Sequence, residues 1–580
     1  MSKFRKSALD TLTRTLTDID TEFRTFLNSL HIDDQRFFLV KTRALPKTVQ
    51  KILQNEYTRF NTPYAANTYL RETTDNIRAV LPAFLIEHFD SGEEELRQMA
   101  LLFSESCRDI CRYNKPICAA VQSQPSTNTE CPGKLALALK NIRHAQVSTC
   151  EAPSEINTAY GLCKAFVDSK GIHAPEVSSK QTIEGCVKRM QDKNWWLRKL
   201  RKVLKRKIEH VMILLNKVNR IKGKYSSDLT VENRRLQRIH QQNTLGAINI
   251  INEAGERFSL KDIYEVNISN PVLRRNELMT RMRGFENLSK EMGHIGVFVT
   301  LTCPSRFHNS YSRSGDRNPK WDGSTPYDGQ QYLCHTWVKM RAELDRQDIR
   351  LYGMRIAEPQ HDGTPHWHMM LFMPKDQQDA FKAIVNLYSF EVDGNEEGAA
   401  ENRVKHVDID PAKGSATGYI AKYVAKNIDG ANLDEDIDGG SAAGIAQRVE
   451  AWASCWGIRQ FQQIGGVSVT VWREMRRIRN LVDENPEFSE IHRAADSGDW
   501  ALYTKLMGGV FCIRKSQKVR PYYDTELNQK TGELKQSWFD GELVRKLKGV
   551  THLGREIITR IHRWRLEWTA PVHSPLLGVL

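Results

Sequence analysis

The sequence lacks any long apolar segment, which limits the classes of protein to which it can belong. The longest apolar runs, such as Val211 to Leu215, are far shorter than the ~20 residues that a membrane span requires. The chain opens with MSKFRKSALDTL, which has no apolar core of the kind found in secretory signals. We therefore expect a soluble intracellular protein.

Cysteine is sparse and irregularly spaced. The eleven cysteines include no C-x2-C pair, so no disulfide framework is indicated. A set formed by Cys107, Cys111, Cys118 and Cys131 resembles a zinc site only loosely, because the spacing is irregular and no histidine stands at ligand distance. Buried or incidental thiols are the favoured interpretation.

A nucleotide-binding loop of the form G-x4-G-K-[ST] is also absent from the sequence. We therefore expect that this chain does not unwind DNA by ATP hydrolysis. The chain is nevertheless basic, with 84 Lys and Arg against 70 Asp and Glu, a formal charge of +14 and a pI near 9.1. This balance favours a polyanionic partner but does not by itself identify one.

The 580 residues are enough for several domains. The predicted class is α+β, with a central domain whose antiparallel sheet is flanked by helices and with mainly helical regions at both ends. Residues 122–132 form the clearest linker, and residues 429–444 are predicted to form a mobile acidic loop. We divide the chain into 1–190, mainly helical and of unknown role; 191–255, basic and helical; 256–480, the central domain; and 481–580, helical and basic.

The segment from Trp195 to Lys224 is the most basic part of the chain, with eleven Lys or Arg residues and a single acid, Glu209. Apolar residues repeat at steps of three and four, which predicts one long amphipathic helix with a basic outer face. The helix is either packed on a core with a solvated face or aligned with a phosphate backbone, and its two tryptophans are available for packing or base stacking. The candidate DNA-binding residues are Trp195, Trp196, Arg198, Lys199, Arg201, Lys202, Lys205 and Arg206.

Three runs rich in β-branched and aromatic residues predict strands at 296–302, 351–358 and 366–373. The second and third runs are separated by Pro359 to Pro365, whose Asp-Gly pair and prolines favour a turn and hence an antiparallel hairpin. Helices are predicted between and after the strands, at 327–347, 377–388 and 418–427.

The third strand carries a His-x-His pair. Residues two apart on a strand point to the same face, so His366 and His368 should project together while Trp367 faces away. Glu358, on the partner strand just before the turn, can face the same pocket. Two imidazoles and a carboxylate leave positions open on a divalent ion, and Mg²⁺ or Mn²⁺ suits phosphoryl transfer, although the ligand types also allow zinc.

The helix predicted at 418–427 carries two tyrosines four residues apart. Tyr419 and Tyr423 should share one face, with Lys422 and Lys426 on an adjacent face. A pair of core tyrosines is the ordinary explanation, but a nearby metal and two ammonium groups suggest that the phenols are nucleophiles. Phenol attack on a phosphodiester would leave a 5′-phosphotyrosine and a free 3′-hydroxyl, and a second tyrosine would allow a second cut.

These motifs resemble those of the bacteriophage replication gene A proteins, rolling-circle initiators of the HUH endonuclease superfamily. The resemblance lies in three segments: Phe298 to Arg306, the metal motif from Glu358 to His368, and the tyrosine motif from Gly414 to Asn427. Further similarity runs from about Trp195 to Arg473. The resemblance makes 256–480 an HUH endonuclease domain.

The resemblance implies that Tyr419 and Tyr423 cut the strand and that His366 and His368 hold the metal, with Glu358 as third ligand. It also implies nicking at a phage replication origin, single-stranded at the cleavage site, followed by strand joining. A host helicase and replicative polymerase would be partners, in the cytoplasm of the bacterial host. The alternatives are an HUH transposase or relaxase with the same chemistry, and an origin-binding protein that does not cut.

Overall fold

The computed structural model describes residues 21–123, 155–430, 442–479, 485–528 and 531–569. Most of the linker expected at 122–132 and most of the loop expected at 429–444 lie outside these ranges. The fold is α+β, as predicted. Among the described residues, no helix is both long and apolar enough to cross a membrane.

The N-terminal part is helical, as predicted. Its interior is a continuous apolar core that includes Phe38, Leu53 and Leu70, none of which has exposed surface. Pro82 stands between two of these helices, at the N-cap of the second. The helices are α1 (Thr21–Ser29), α2 (Ile32–Thr42), α3 (Lys47–Tyr57), α4 (Pro63–Val80), α5 (Ala83–Glu87), α6 (Glu93–Ser123), α7 (Glu155–Ser169) and α8 (Ile183–Met190).

The basic segment forms helix α9 (Lys193–Leu214), which is shorter than predicted. Asp192 caps its first turn by accepting hydrogen bonds from the backbone N–H groups of Asn194 and Trp195, both at 3.1 Å. The helix ends because Asn216 adopts a left-handed conformation with φ 53°, and the apolar repeat continues beyond this turn only as loop residues.

A small sheet follows α10 (Asp228–Gly246). It contains β1 (Ile248–Ile251) and β2 (Arg257–Ser259), which precede α11 (Leu260–Glu265) and α12 (Pro271–Glu291). Strand β1 also pairs with the last strand of the described chain, so that Ile248 lies opposite Trp568. The small sheet therefore joins segments that are far apart in the sequence.

The central part of the chain forms a sheet with helices on both faces. Its elements are β3 (Ile295–Thr302), α13 (Pro326–Arg346), β4 (Tyr352–Pro359), β5 (Pro365–Met373), α14 (Gln378–Ser389), α15 (Ala399–Asn402), β6 (Val404–Asp408), α16 (Ala416–Ile428), α17 (Ala442–Trp456) and β7 (Phe461–Ile464). The five strands are antiparallel, in the order β6-β3-β5-β4-β7. The three predicted strands are the middle three, the predicted hairpin is β4–β5, and the three predicted helices correspond to α13, α14 and α16.

The two faces of the central sheet bury different residues. One face places Trp367 and Met369 in the same core as Trp337 of α13 and Phe381 of α14. The other face places Phe298 and Met370 against α12 and α16. Since strand residues alternate, His366 and His368 lie on the face covered by α12 and α16, with Trp367 on the opposite side as predicted.

The C-terminal region differs from the helical expectation. After α18 (Val469–Met475), the α-helices of the described residues are α19 (Pro486–Asp496) and α20 (Trp500–Leu506). The chain then forms an antiparallel sheet of β8 (Val519–Thr525), β9 (Arg545–His552) and β10 (Arg555–Ile558), followed by β11 (Arg565–Trp568). Val519 and Val550 are fully buried against the core of the central sheet, and this packing favours strands over the local helical tendency.

Candidate metal and tyrosine site

The β4–β5 hairpin brings three candidate ligands together. Glu358 lies directly opposite His366 in the strand register, and His368 lies opposite Ile356. The ligand atoms of Glu358, His366 and His368 all lie within 4.8 Å of one another. The Nε2 atoms of His366 and His368 are 4.0 Å and 3.7 Å from Oε2 of Glu358.

This group has the chemistry of a divalent-metal site. Two imidazole nitrogens and one carboxylate oxygen suit several divalent ions and leave coordination positions for other ligands. The Glu358 side chain is 1% exposed, and a carboxylate buried to this degree needs compensating donors or a cation. Within the described part of the chain, these three residues are the one group of histidines, cysteines and acids close enough to hold a metal.

The protonation states also fit metal binding. Burial lowers the pKa of His366 to about 3, with the neighbouring His368 acting in the same direction. Burial also lowers the pKa of His368 to about 3, assisted by the positive charges of Lys426 and Lys422. Both imidazoles are therefore neutral near pH 7, which is the form that binds a metal.

Neighbouring side chains orient two of the three candidate ligands, His368 and Glu358. Oγ1 of Thr300, on β3, lies 3.0 Å from Nδ1 of His368 and so leaves Nε2 directed toward Glu358. The side-chain amide of Asn427 donates a hydrogen bond to Glu358, and Gln460 donates to Oδ1 of Asn427 at 3.1 Å. Sequence reasoning did not select these three orienting residues. Thr300 could have been found from the β3–β5 register, whereas Asn427 and Gln460 required the tertiary structure.

The turn of the hairpin is anchored by a buried acid, Asp362, whose side chain has no exposed surface. It accepts hydrogen bonds from His308 Nδ1 at 3.1 Å, from the Asn309 backbone at 3.1 Å, and from the Thr364 backbone at 3.0 Å. Burial alone would raise the pKa of Asp362, but the charge and hydrogen bond of His308, together with the charge of His361 and the hydrogen bond from the Thr364 backbone, lower it to about 2. The turn that aligns β4 with β5 thus depends on a charged pair.

Helix α16 carries both tyrosines across the site. Ser415 caps the helix by accepting a hydrogen bond from the Gly418 backbone at 2.9 Å. The carboxylate of Glu286, on α12, accepts a second hydrogen bond from the Thr417 backbone at 3.0 Å. These two acceptors fix the start of the helix and therefore the direction in which its side chains point.

Tyr423 lies against the metal-ligand group and Tyr419 lies further out. The ring of Tyr423 has its centroid 4.3 Å from that of His368 and 5.3 Å from that of Phe298. Tyr419 packs on Phe298 with a centroid distance of 4.6 Å and is 39% exposed. The two tyrosine rings are 6.3 Å apart, so both reach one surface of the sheet, as the four-residue spacing predicted.

The two lysines of α16 differ in their contacts. The ammonium of Lys422 is 5.0 Å from the ring centroid of Tyr423 and 6.0 Å from that of Tyr419. Lys426 Nζ lies 3.5 Å from Oε2 of Glu358. Burial raises the pKa of Tyr423 to about 12, Tyr419 and Glu358 add to this effect, and Lys426 opposes it. The Tyr423 phenol is therefore protonated near neutral pH.

The structure corrects part of the prediction for the basic helix α9. Trp195 and Trp196 are buried, 7% and 0% exposed, and the ring of Trp196 packs on Phe103 and Phe166. They pack in the core and are not available to stack on DNA bases. The outward residues of α9 are Arg198, Arg201, Lys202 and Lys205, while Lys199 and Arg206 are half-buried.

Several cations of α9 are engaged within the protein. Arg201 forms an ion pair with Glu93, and Lys205 donates to the Ser454 carbonyl oxygen at 2.6 Å. Arg206 donates to the Trp456 carbonyl oxygen and stacks over Tyr327, 4.0 Å from its ring centroid. Part of the basic face therefore holds α9 against α17, and a role in binding DNA stays a prediction for these residues.

Two of the four cysteines considered for a zinc site lie beside a cysteine of another helix. Cys107 and Cys111 lie on α6 beside Cys163 of α7, and the Sγ atoms of Cys111 and Cys163 are 3.8 Å apart. The thiol of Cys163 also donates to the Cys107 carbonyl oxygen at 3.6 Å. Cys131 and the side chain of Cys118 lie outside the described residues.

The fold and the site together define an α+β protein in which a buried histidine–carboxylate group lies beneath a helix bearing two tyrosines. A model of the family described as "Bacteriophage replication gene A protein (GPA)" matches residues 127–431, more than half of the chain. The chain belongs to this family. No solved structure was found to match it.

Curated relatives agree with the family match. The "Replication gene A protein" of Escherichia phage 186 is 40% identical over 399 residues, covering 66% of this chain and 56% of that protein. The "Probable replication protein P12" of Pseudoalteromonas phage PM2 is 36% identical over 434 residues, covering 73% and 65%. A "Probable replication endonuclease from prophage-like region" of Salmonella paratyphi A is 35% identical over 361 residues, covering 59% and 45%. The matches thus span about half to two thirds of these relatives' length.

Proposed function

We propose that this chain initiates phage DNA replication as an endonuclease that nicks the origin strand through a tyrosine and later rejoins the displaced strand. The observation that carries the proposal is the contact of Tyr423 with His368, one of three clustered ligands, with Tyr419 on the same helix face. The names of the relatives, replication proteins and a probable replication endonuclease, support it.

Glu358, His366 and His368 would hold the metal, and Mg²⁺ or Mn²⁺ suits phosphoryl transfer best with this donor set. Bound there, a divalent ion would polarise the phosphodiester and offset the negative charge that develops during transfer. Thr300 and Asn427 keep His368 and Glu358 in their ligand orientations.

The tyrosine oxygen attacks the phosphorus, a Tyr Oη–P bond forms, and the bond from phosphorus to the 3′-oxygen breaks. The phenol loses its proton and the leaving 3′-oxygen gains one, so the exchange of esters needs neither ATP nor water. Because burial favours the neutral phenol of Tyr423, attack requires nearby positive charge. Lys422 is the side chain we assign to favour the phenolate or to contact the phosphate. Lys426 balances the charge of Glu358.

Two tyrosines give the reaction a second step. While one holds the 5′ phosphate, the other can cut a second site without release of the first strand. Return of the 3′-hydroxyl to the phosphotyrosine reverses the ester exchange and closes the displaced strand.

The proposed substrate is origin DNA that is single-stranded at the cleavage site, in the cytoplasm of the bacterial host. Since the sequence has no nucleotide-binding loop, strand separation is assigned to a host helicase and synthesis to a host polymerase. A relaxase or transposase would share this chemistry and would differ in its DNA target.

The direct test incubates the full chain with Mg²⁺ and a single-stranded or supercoiled origin substrate and measures covalent protein–DNA complex in a denaturing gel. We expect the complex from the wild-type chain and none from the double variant Tyr419→Phe with Tyr423→Phe. The matched control is Tyr64→Phe with Tyr311→Phe, since both rings are exposed, 83% and 49%, and lie outside the site. Complex formation by the Tyr419/Tyr423 double variant would refute the assignment.

A further inference from the structure

A large groove runs along the β7 edge of the central sheet. Its volume is about 1830 Å³. Its walls are β7, parts of α12 and α13, the loops at 465–470 and 510–517, and strand β8. The C-terminal sheet therefore forms one side of a channel whose other side is the central domain.

The walls of this groove are strongly positive. They contain nine arginines, no lysine, and only two acids, Glu277 and Asp345. Such a cluster in a concave surface focuses positive potential and attracts polyanions. The arginines are Arg274, Arg281, Arg341, Arg350, Arg459, Arg473, Arg514, Arg520 and Arg545.

Most of this charge is not neutralised within the protein. Glu277 pairs with Arg473 at 2.7 Å and with Arg281 at 3.5 Å. By contrast, none of the ion pairs among the described residues involves five exposed arginines of the groove. These five are Arg341, Arg459, Arg514, Arg520 and Arg545.

One buried arginine supports a binding role for the groove. Arg281 is 7% exposed, and Nη1 donates to Gln463 at 3.0 Å, but its buried Nε has no hydrogen-bond partner. A buried donor without a partner is costly, and a bound anion would compensate it.

Aromatic rings alternate with these cations. Tyr523, on β8, is 51% exposed, and Tyr522 and Phe511 line the same wall. On the opposite wall the guanidinium of Arg274 lies 5.7 Å from the ring centroid of Phe461. Exposed rings among arginines are the surface to which unpaired bases and their phosphates bind, whereas the bases of a duplex are already stacked on each other.

The groove is connected to the tyrosine site through a short hydrogen-bonded path. Gln460 lines the groove and donates to Asn427, which donates to Glu358. The backbone of Gln460 also accepts a hydrogen bond from Ala357 N at 2.7 Å, next to Glu358. A residue that lines the groove is therefore only two hydrogen bonds away from Glu358, one of the residues that would hold the metal.

We propose that this arginine groove binds single-stranded DNA flanking the cleavage site, with arginines on phosphates and Tyr523 stacked on a base. This proposal rests on the proposed function only in placing the bound strand next to a cleavage site, and binding in the groove does not itself require cleavage. The substrate is recognised here by backbone charge and base faces, so the groove contributes affinity with little sequence preference.

The test measures binding of a fluorescent single-stranded oligonucleotide of unrelated sequence by anisotropy, in EDTA, over a series of salt concentrations. The triple variant Arg514→Gln, Arg520→Gln and Arg545→Gln should bind about tenfold more weakly, and its plot of log affinity against log salt should be shallower by about 2. The control variant changes three exposed arginines outside the groove, Arg43, Arg71 and Arg112, to Gln and should bind as the wild type does. The three groove substitutions made singly should each show a smaller loss, which separates binding from misfolding.

Tyr523 provides a second test. Tyr523→Ala should weaken binding about tenfold through loss of stacking, while Tyr523→Phe should bind as the wild type does. Equal affinity and salt dependence of the groove and control variants would overturn the proposal. A loss confined to duplex DNA or to RNA would overturn the assignment to single-stranded DNA. If the wild-type chain forms no covalent complex with Mg²⁺ yet binds through the groove, the proposed function fails and the groove proposal stands.

Discussion

The ring of Tyr423 lies 4.3 Å from the imidazole ring of His368, measured between centroids, whereas Tyr419 is one helical turn earlier and contacts Phe298. The two tyrosines are therefore not equivalent in this structure. Tyr423 is half-buried within the site, and Tyr419 is exposed at its margin.

This asymmetry predicts different effects of the single substitutions. Tyr423→Phe should reduce the first cleavage by about 10³-fold or more, because it removes the phenol next to the ligand group. Tyr419→Phe should retain most of the first cleavage and should reduce rejoining. Single-turnover cleavage of a labelled origin strand measures the first effect, and circularisation of the released strand measures the second. Equal loss of first cleavage in both variants would contradict the prediction.

The histidine pair should be required for metal binding and not for folding. We expect that His366→Ala with His368→Ala abolishes Mn²⁺ binding in calorimetry and abolishes cleavage, while affinity for single-stranded DNA is retained. His335→Ala, at an exposed position on α13, is the matched control and should change neither property. Unfolding of the double variant, detected by circular dichroism, would instead indicate that the histidines hold a structural ion.

Thr300 should tune metal affinity through His368. Thr300→Val keeps the side-chain shape and removes the oxygen 3.0 Å from Nδ1, so Mn²⁺ should bind about 10- to 100-fold more weakly. Thr302→Val is the control on the same strand face, since Thr302 donates to the Arg403 carbonyl oxygen at 3.0 Å and not to a ligand. Calorimetric Mn²⁺ titration distinguishes the two variants, and equal affinities would exclude an orienting role.

Asp362 should stabilise the fold in a pH-dependent way. Asp362→Asn should lower the free energy of unfolding by about 2–4 kcal/mol near pH 7, because a buried hydrogen-bonded charge is removed. Its pKa of about 2 lies below the usual 3.8, so its contribution is present above 3.8 and is lost as the pH falls through 2. The difference in the free energy of unfolding between the wild type and Asp362→Asn, measured by urea unfolding, should decrease as the pH is lowered from about 5 to about 2. His308 stays protonated over this range. A difference in the free energy of unfolding that does not change with pH would show that Asp362 and His308 do not act as a charged pair.

Most of the central domain could be predicted from local sequence patterns. The residue types of the run at 366–373 and the turn residues after Glu358 predicted the hairpin, and the pair of tyrosines four apart predicted a shared helix face. The basic helix and the C-terminal region were less predictable. Burial of Trp195 and Trp196 and the formation of strands from Val519 onward depend on contacts with distant segments.

The sequence by itself determined the candidate ligand set, the tyrosine spacing and the strands and helix that carry them, because these follow from residues close together in the chain and from the periods of strands and helices. Only the tertiary structure decided that Tyr423 contacts His368, that Asn427 and Gln460 orient Glu358, and that nine arginines line one groove. The groove arginines lie between positions 274 and 545 of the sequence. Local sequence patterns do not predict which of them line one groove, because the groove forms only when the C-terminal sheet packs beside the central sheet.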